Sequence, residues 1–225
     1  MKLAVLETGR PPEALVGRFG TYPDMYRRML GLAELPSYDV AAGELPERPE
    51  DHDGYIVSGS PAGVYDPLPW IGQLFGFLRE AKGRAKLVGI CFGHQAMAQA
   101  FGGSVTKSDK GWGVGLHDYA VATRQPWMDE AAEVAIPASH QDQVVGQPPG
   151  TVVTMASAFT PYAGLAWGDE AISFQFHPEF EPDYAKALIE VRKDRLADAE
   201  AALESLDRPN DNARVGGWIE RFLKN

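Results

Sequence analysis

Apolar positions along the chain switch between a two-residue and a helical spacing, and the switches mark out its elements. Residues 2–7 form an apolar run of strand length. Residues 8–20 carry two prolines and three glycines, which predicts a loop. From Thr21-x-x-Asp24 the spacing turns helical through Met25, Met29, Leu30 and Leu32, ending near residue 33. Short strands are predicted over 38–41 and 54–57, on either side of a Pro- and Glu-rich loop at 43–53. The second runs into Ser58-Gly59-Ser60-Pro61, where glycine and proline forbid continuation. Pro67 and Pro69 precede a helix reaching about residue 81, tolerable only at or before its first turn. An apolar strand over 86–90 leads into a helix over 92–101, stopped by Gly102-Gly103. Six further strands are predicted over 104–107, 114–123, 133–136, 151–156, 163–167 and 171–176. One long amphipathic helix over 183–206, a break at 207–212 and a last helix over 214–223 complete the chain.

Strand and helix alternate through the first half, which demands a parallel sheet with right-handed helical crossovers, an α/β architecture. No repeat, low-complexity tract or shift of composition marks a second unit, so one domain is expected over 1–225, with a helical extension from about residue 190.

Composition narrows the class. A hydrophobic fraction of 44% and a charged fraction of 23% are those of an ordinary globular protein with a large core. The single cysteine excludes an intramolecular disulfide framework and a Cys-based zinc site, and fits a reducing compartment. The N-terminal apolar run is too short for a signal peptide and is interrupted by Glu7, and no stretch has the length of a membrane span. A cytoplasmic protein with no membrane contact is expected. A net charge of −10 disfavours sequence-independent binding to nucleic acid, which depends on neutralising phosphates.

The chemistry gathers around that cysteine. Cys91 sits at the corner between strand 86–90 and the following helix, with Gly89 and Gly93 two residues to either side. This is the G-x-S-x-G nucleophile elbow with sulfur for oxygen. The neighbours two away must lack side chains for so tight a turn to close, and the helix N-terminus is aimed at the sulfur, where negative charge is favoured. A lone cysteine in apolar surroundings also reads as a small buried hydrophobe. A nucleophile needs a base and an orienter. Of five histidines, His177 follows directly on the last strand, and Glu179 lies beyond it across Pro178. Strand C-termini of a parallel sheet share one edge, so Cys91 and His177 would share it too. Read singly, the pair is equally a strand-end histidine and a solvated carboxylate. The N–H of Phe92 comes with any elbow as an oxyanion donor, and Gly59 is placed to supply a second, although Ser58-Gly59-Ser60-Pro61 also reads as an ordinary turn.

Taken together, Gly89-Ile90-Cys91-Phe92-Gly93-His94-Gln95, Ser58-Gly59-Ser60-Pro61, Ser139-His140-Gln141-Asp142 and His177-Pro178-Glu179 resemble, in order and spacing, the motifs of class I glutamine amidotransferase domains. The likeness spans roughly residues 1–190 and is greatest to the glutaminase domain of GMP synthetase and its free-standing relatives. It implies a three-layer, flavodoxin-like fold with a mostly parallel central sheet and helices on both faces. It also implies a Cys91–His177–Glu179 triad, Gly59 and Phe92 as the oxyanion hole, and substrate contacts from Gln95, Ser139, His140, Gln141 and Asp142. The implied reaction is hydrolysis of a γ-glutamyl amide through a glutamyl thioester, with no metal or organic cofactor. Such domains deliver ammonia to a synthetase, and this sequence contains no G-x-x-x-x-G-K-[ST] phosphate loop, so a separate synthetase subunit would be the partner. A γ-glutamyl peptide hydrolase or transferase is the alternative, and a non-catalytic binding domain a third reading that the intact triad opposes. The Pro61-Ala62-Gly63-Val64-Tyr65-Asp66-Pro67 loop is closer to free-standing members, and His94 places a second histidine beside Cys91.

Overall fold

The computed structural model describes residues 1–225. The first half of the chain runs β1 (Leu3–Glu7), α1 (Glu13–Phe19), α2 (Tyr22–Met29), β2 (Ser37–Asp39), β3 (Gly54–Val57), α3 (Pro69–Ala81), β4 (Lys86–Ile90) and α4 (Phe92–Ala100). The strand-rich middle comprises β5 (Ser104–Lys107), β6 (Gly113–Val121), β7 (Glu133–His140), β8 (Asp142–Gly146), β9 (Val152–Ala156), β10 (Gly164–Trp167) and β11 (Ala171–Phe174). Helices α5 (Pro182–Arg192), α6 (Ala199–Ser205) and α7 (Asn212–Lys224) follow.

Nine strands form one sheet in the order β2-β1-β3-β4-β11-β10-β9-β6-β7. The five from β2 to β11 are parallel, and β10, β9, β6 and β7 extend the sheet antiparallel. Strands β5 and β8 pair as a separate antiparallel ribbon. The parallel strands are covered on both faces, which is why they read as unbroken apolar runs rather than alternating ones. Along β4, Val88 and Ile90 enter the core shared with Tyr26 of α2, Leu188 of α5 and Trp218 of α7. Leu87 points the other way, into the core shared with Leu74 of α3 and Met97 of α4. Three layers result, and the C-terminal ends of β3, β4 and β11 come together at one rim.

Four details differ from the sequence pattern, each for a local reason. Residues 8–20 contain α1: Pro12 stands just before its first turn, where a missing N–H costs nothing, and the interior Gly17 sits where even a Cβ would meet nothing within 4 Å. Strand β7 runs on to His140 through Pro137, which an edge strand accommodates, and β8 starts at Asp142, so the 139–142 stretch is a tight corner between strands. The last parallel strand stops at Phe174, before Gln175 and Phe176. The helix expected over 183–206 breaks after Arg192: Leu196 is extended, and Asp198 starts α6 by accepting the Ala201 N–H at 3.1 Å. The start of α2 is as expected, with Thr21 and Asp24 capping each other reciprocally.

The C-terminal helix α7 is part of the core. Ile219, Phe222 and Leu223 are at most 2% exposed and lie in the cluster that contains Val5 and Ile56. Each such burial is worth roughly 1.5–3 kcal/mol in transfer free energy. No helix is long and apolar enough to cross a membrane.

Candidate active site

The turn from β4 to α4 holds Cys91 at φ 53°, ψ −103°, the only non-glycine residue with positive φ. Such a conformation costs about 1–3 kcal/mol and persists only where its surroundings enforce it. Here the Cys91 N–H donates to the Phe174 carbonyl of β11 at 2.8 Å, and the Gly93 N–H donates to the Ser58 carbonyl at 3.1 Å. The corner is thus sewn to both neighbouring strands. A Cβ on Gly93 would lie 2.2 Å from the Val57 carbonyl oxygen, and one on Gly89 would lie 2.6 Å from that of Gly93. The spacing of the two glycines is therefore a packing requirement.

His177 follows β11 and is 3% exposed. Its Nδ1–H donates to Glu179 Oε1 at 2.8 Å, and its ring lies flat on Phe180, with centroids 3.9 Å apart. Burial disfavours the imidazolium, but the Glu179 carboxylate and the Cys91 sulfur outweigh it, and the pKa of His177 is raised. With Nδ1 committed to Glu179, the other ring nitrogen is the one left for Cys91. A point one Cβ bond from Gly59 is 3.2 Å from His177 Cε1 and 3.8 Å from Cys91 Cβ, so the three residues converge. Neither the Gly59 N–H nor the Phe92 N–H donates to any group of the protein. Both residues are buried. Two N–H groups of buried residues without a protein acceptor, next to a cysteine, suit a developing oxyanion.

One partner had no signal in the sequence pattern. The Tyr26 hydroxyl on α2 donates to Glu179 Oε1 at 3.1 Å, from 153 positions away. Only the apolar spacing of α2, which turns Tyr26 inward, gave a hint of its burial.

The remaining residues named from the sequence line a cleft of about 280 Å³ beside Cys91: Gln95, Ser139, His140, Gln141 and Asp142. The Ser139 carbonyl lies 3.9 Å from Cys91 Sγ. Gln95 spends its amide nitrogen on the Asp142 carbonyl (2.9 Å) and on Gln175 Oε1 (3.1 Å), which leaves its carbonyl oxygen for a ligand. Residues of the 60–66 loop, among them the exposed Tyr65, line the cleft as well.

Two other histidines are held neutral. Burial lowers the pKa of His140 to about 3, helped by the neighbouring His117 and His177, and its Nδ1–H donates to the Asp142 carbonyl at 3.2 Å. Burial likewise lowers His94 to about 3, and its Nδ1 pairs with Ser173 Oγ at 2.8 Å on β11, so it ties helix to sheet outside the cleft. Because both folded-state values lie below the ordinary 6.5, the unfolded chain binds protons first on acidification. Their contribution to stability is complete above about pH 6.5 and lost towards pH 3. Thermal midpoints should fall from about pH 6.5 to about pH 5, below the range in which the raised His177 adds an opposing slope, and His94→Asn should reduce the fall.

The family model described as glutamine amidotransferase class-I matches residues 33–192, which include the elbow, the 139–142 corner and His177-Pro178-Glu179. The chain belongs to this family. A glutamine amidotransferase-like protein of Schizosaccharomyces pombe is 25% identical, with 98% of each chain covered. Gamma-glutamyl peptidase 4 of Arabidopsis thaliana is 27% identical over 73% of this chain and 70% of its own. Among solved structures, a glutamine amidotransferase from Thermotoga maritima superposes over 100% of both chains with a TM-score of 0.81 at 22% identity. The three-layer α/β architecture is therefore that of class I glutamine amidotransferases.

Proposed function

We propose that the protein hydrolyses a γ-glutamyl amide through a thioester on Cys91. The observation that carries this reading is the strained Cys91 facing His177–Glu179, with two unaccepted backbone N–H groups beside it. The sulfur, its proton taken by His177, attacks the γ-carbonyl carbon. The tetrahedral oxyanion accepts hydrogen bonds from the Gly59 and Phe92 N–H groups, each donor worth roughly a hundred- to a thousandfold in rate. His177 returns the proton to the nitrogen as the C–N bond breaks. Water, deprotonated by His177, then releases glutamate from the thioester. Glu179 holds the ring in the tautomer this sequence needs, and Tyr26 and the Phe180 ring fix Glu179 and His177 in turn.

The α-amino-acid end of the substrate is assigned to the Gln95 carbonyl oxygen and the Ser139–Asp142 corner. Two leaving groups suit this chemistry: ammonia passed to a separate synthetase, and an amino acid or peptide released to solvent. The second is supported by the cleft, whose rim of Pro61, Tyr65 and Lys107 is exposed, and by the likeness to a protein named gamma-glutamyl peptidase.

The test is a release assay over glutamine and a set of γ-glutamyl dipeptides, with free ammonia and free glutamate both measured. Turnover of neither class would remove the proposal. Rapid dipeptide cleavage beside slow glutamine turnover would decide for the second leaving group. Within that assay, His177→Ala should cost about 10⁴-fold or more in kcat, and Glu179→Gln one to two orders of magnitude less. Equal losses would mean that Glu179 is not the orienter. Tyr26→Phe, which removes one hydrogen bond to the triad carboxylate, should lower kcat by about 5- to 10-fold with KM little changed.

A further inference from the structure

A leaving group departs in a defined direction. His177 must return its proton to the departing nitrogen, so that nitrogen lies on the His177 side of the sulfur. On that side the cleft wall is the end of β7. The His177 N–H donates to the Pro137 carbonyl at 2.9 Å, and the Ser139 carbonyl is 3.9 Å from Cys91 Sγ. Whatever the nitrogen carries therefore runs out over Ser139.

Positive charge without a counter-ion waits there. Arg192, the last residue of α5, donates from Nη1 to Ser139 Oγ at 3.1 Å and pairs with no carboxylate. Arg195, three residues on, lines a second cavity of about 430 Å³ and makes no ion pair either. Trp112 lines both this cavity and the cleft beside Cys91, so the two adjoin along its indole. Lys107 on the cleft wall is likewise unpaired. Asp198, which lines the same cavity as Arg195, caps α6 and forms no ion pair with either arginine, and neither does the exposed Asp194. Elsewhere in this chain of net charge −10, arginines are commonly tied to carboxylates, as in Arg10–Asp39, Arg84–Glu50 and Arg208–Asp118.

The geometry points to an acceptor-side subsite, built on Arg192 where it rests on Ser139 of the cleft wall, with Arg195 and Trp112 along the adjoining cavity, that binds the carboxylate of the leaving amine. The favoured leaving group is thus an α-amino acid joined through its nitrogen, with its free carboxylate two bonds away. A guanidinium meets a carboxylate through two parallel N–H···O bonds, and Trp112 offers an apolar wall to the amino acid's side chain. Ser139 holds the Arg192 fork in place beforehand, which lowers the ordering cost of binding. This specificity rests on the thioester reading above and adds the residues that select the amine.

The decisive experiment compares γ-glutamyl-alanine with γ-glutamyl-alaninamide, which differ only in that carboxylate, by the ratio of their kcat/KM values for glutamate release. The wild-type protein should favour the free carboxylate by about 10- to 100-fold, the worth of one charge-assisted interaction. Arg192→Gln should bring the ratio to about 1–3, and Arg192→Lys, which keeps the charge but loses the fork, should fall between. A wild-type ratio near one overturns the subsite while leaving the thioester reading intact. A ratio that persists in a folded Arg192→Gln/Arg195→Gln variant overturns it equally. Hydrolysis of neither substrate overturns the subsite, and overturns the thioester reading as well only if glutamine is not turned over either; hydrolysis retained by Cys91→Ala overturns both.

Discussion

Cys91→Ala is expected to abolish release of glutamate from every γ-glutamyl amide, by about 10⁴-fold or more in kcat, while the folded structure remains. The two parts of that outcome separate the two readings of the residue. A cysteine that merely filled space would, when trimmed to alanine, cost about 1 kcal/mol of stability and leave chemistry unaffected. Alanine at the same corner keeps the positive φ and the hydrogen bonds from the Cys91 and Gly93 N–H groups, so the turn should close as before. The sulfur alone is lost, and with it the nucleophile proposed for the reaction. Steady-state rates alongside thermal midpoints and circular dichroism make the comparison. Retained activity would remove Cys91 from the chemistry, and a collapsed fold would make its role structural.

Gly93→Ala should have the largest effect on the fold. The added methyl would sit 2.2 Å from the Val57 carbonyl oxygen and 2.9 Å from Val57 Cβ, both on β3 in the middle of the parallel sheet. Neither the strand nor α4 can withdraw without breaking the Gly93–Ser58 hydrogen bond that closes the elbow. A loss of about 3 kcal/mol or more is expected, lowering the thermal midpoint by roughly 6–12 °C. Gly76→Ala is the natural control. It lies inside α3, where a Cβ would meet nothing within 4 Å, and there the same substitution should stabilise by about 0.5–1 kcal/mol. Denaturant or thermal unfolding of the two variants should move in opposite directions.

The elements most legible in the sequence were those whose local chemistry decides them. The Thr21–Asp24 capping box starts α2 because both halves of the reciprocal bond lie within one turn. The apolar run before Cys91 becomes a buried central strand because both its faces are covered. Less legible were elements that depend on what lies across space. Helix α1 forms in a segment dense in proline and glycine and contributes little beyond Leu15 to the core. The break after Arg192 falls where alanine and leucine keep a helical rhythm, and it comes from Asp198 capping a new helix that packs on β6.

The same division runs through the site. Order and spacing along the chain were enough to name the elbow, the histidine with its carboxylate, and the loop opposite, because strand C-termini in a parallel sheet must share an edge. Period, punctuation and motif are local properties, and they settle element type and the parallel half of the sheet, and they single out the Cys91 corner as the candidate for chemistry. Tertiary structure alone decided the contacts that span the chain: Tyr26 on Glu179 across 153 positions, His94 turned away to Ser173, and Arg192 laid on Ser139. Each depends on how helices pack over the sheet, and packing is a collective result of many buried side chains that no short stretch encodes.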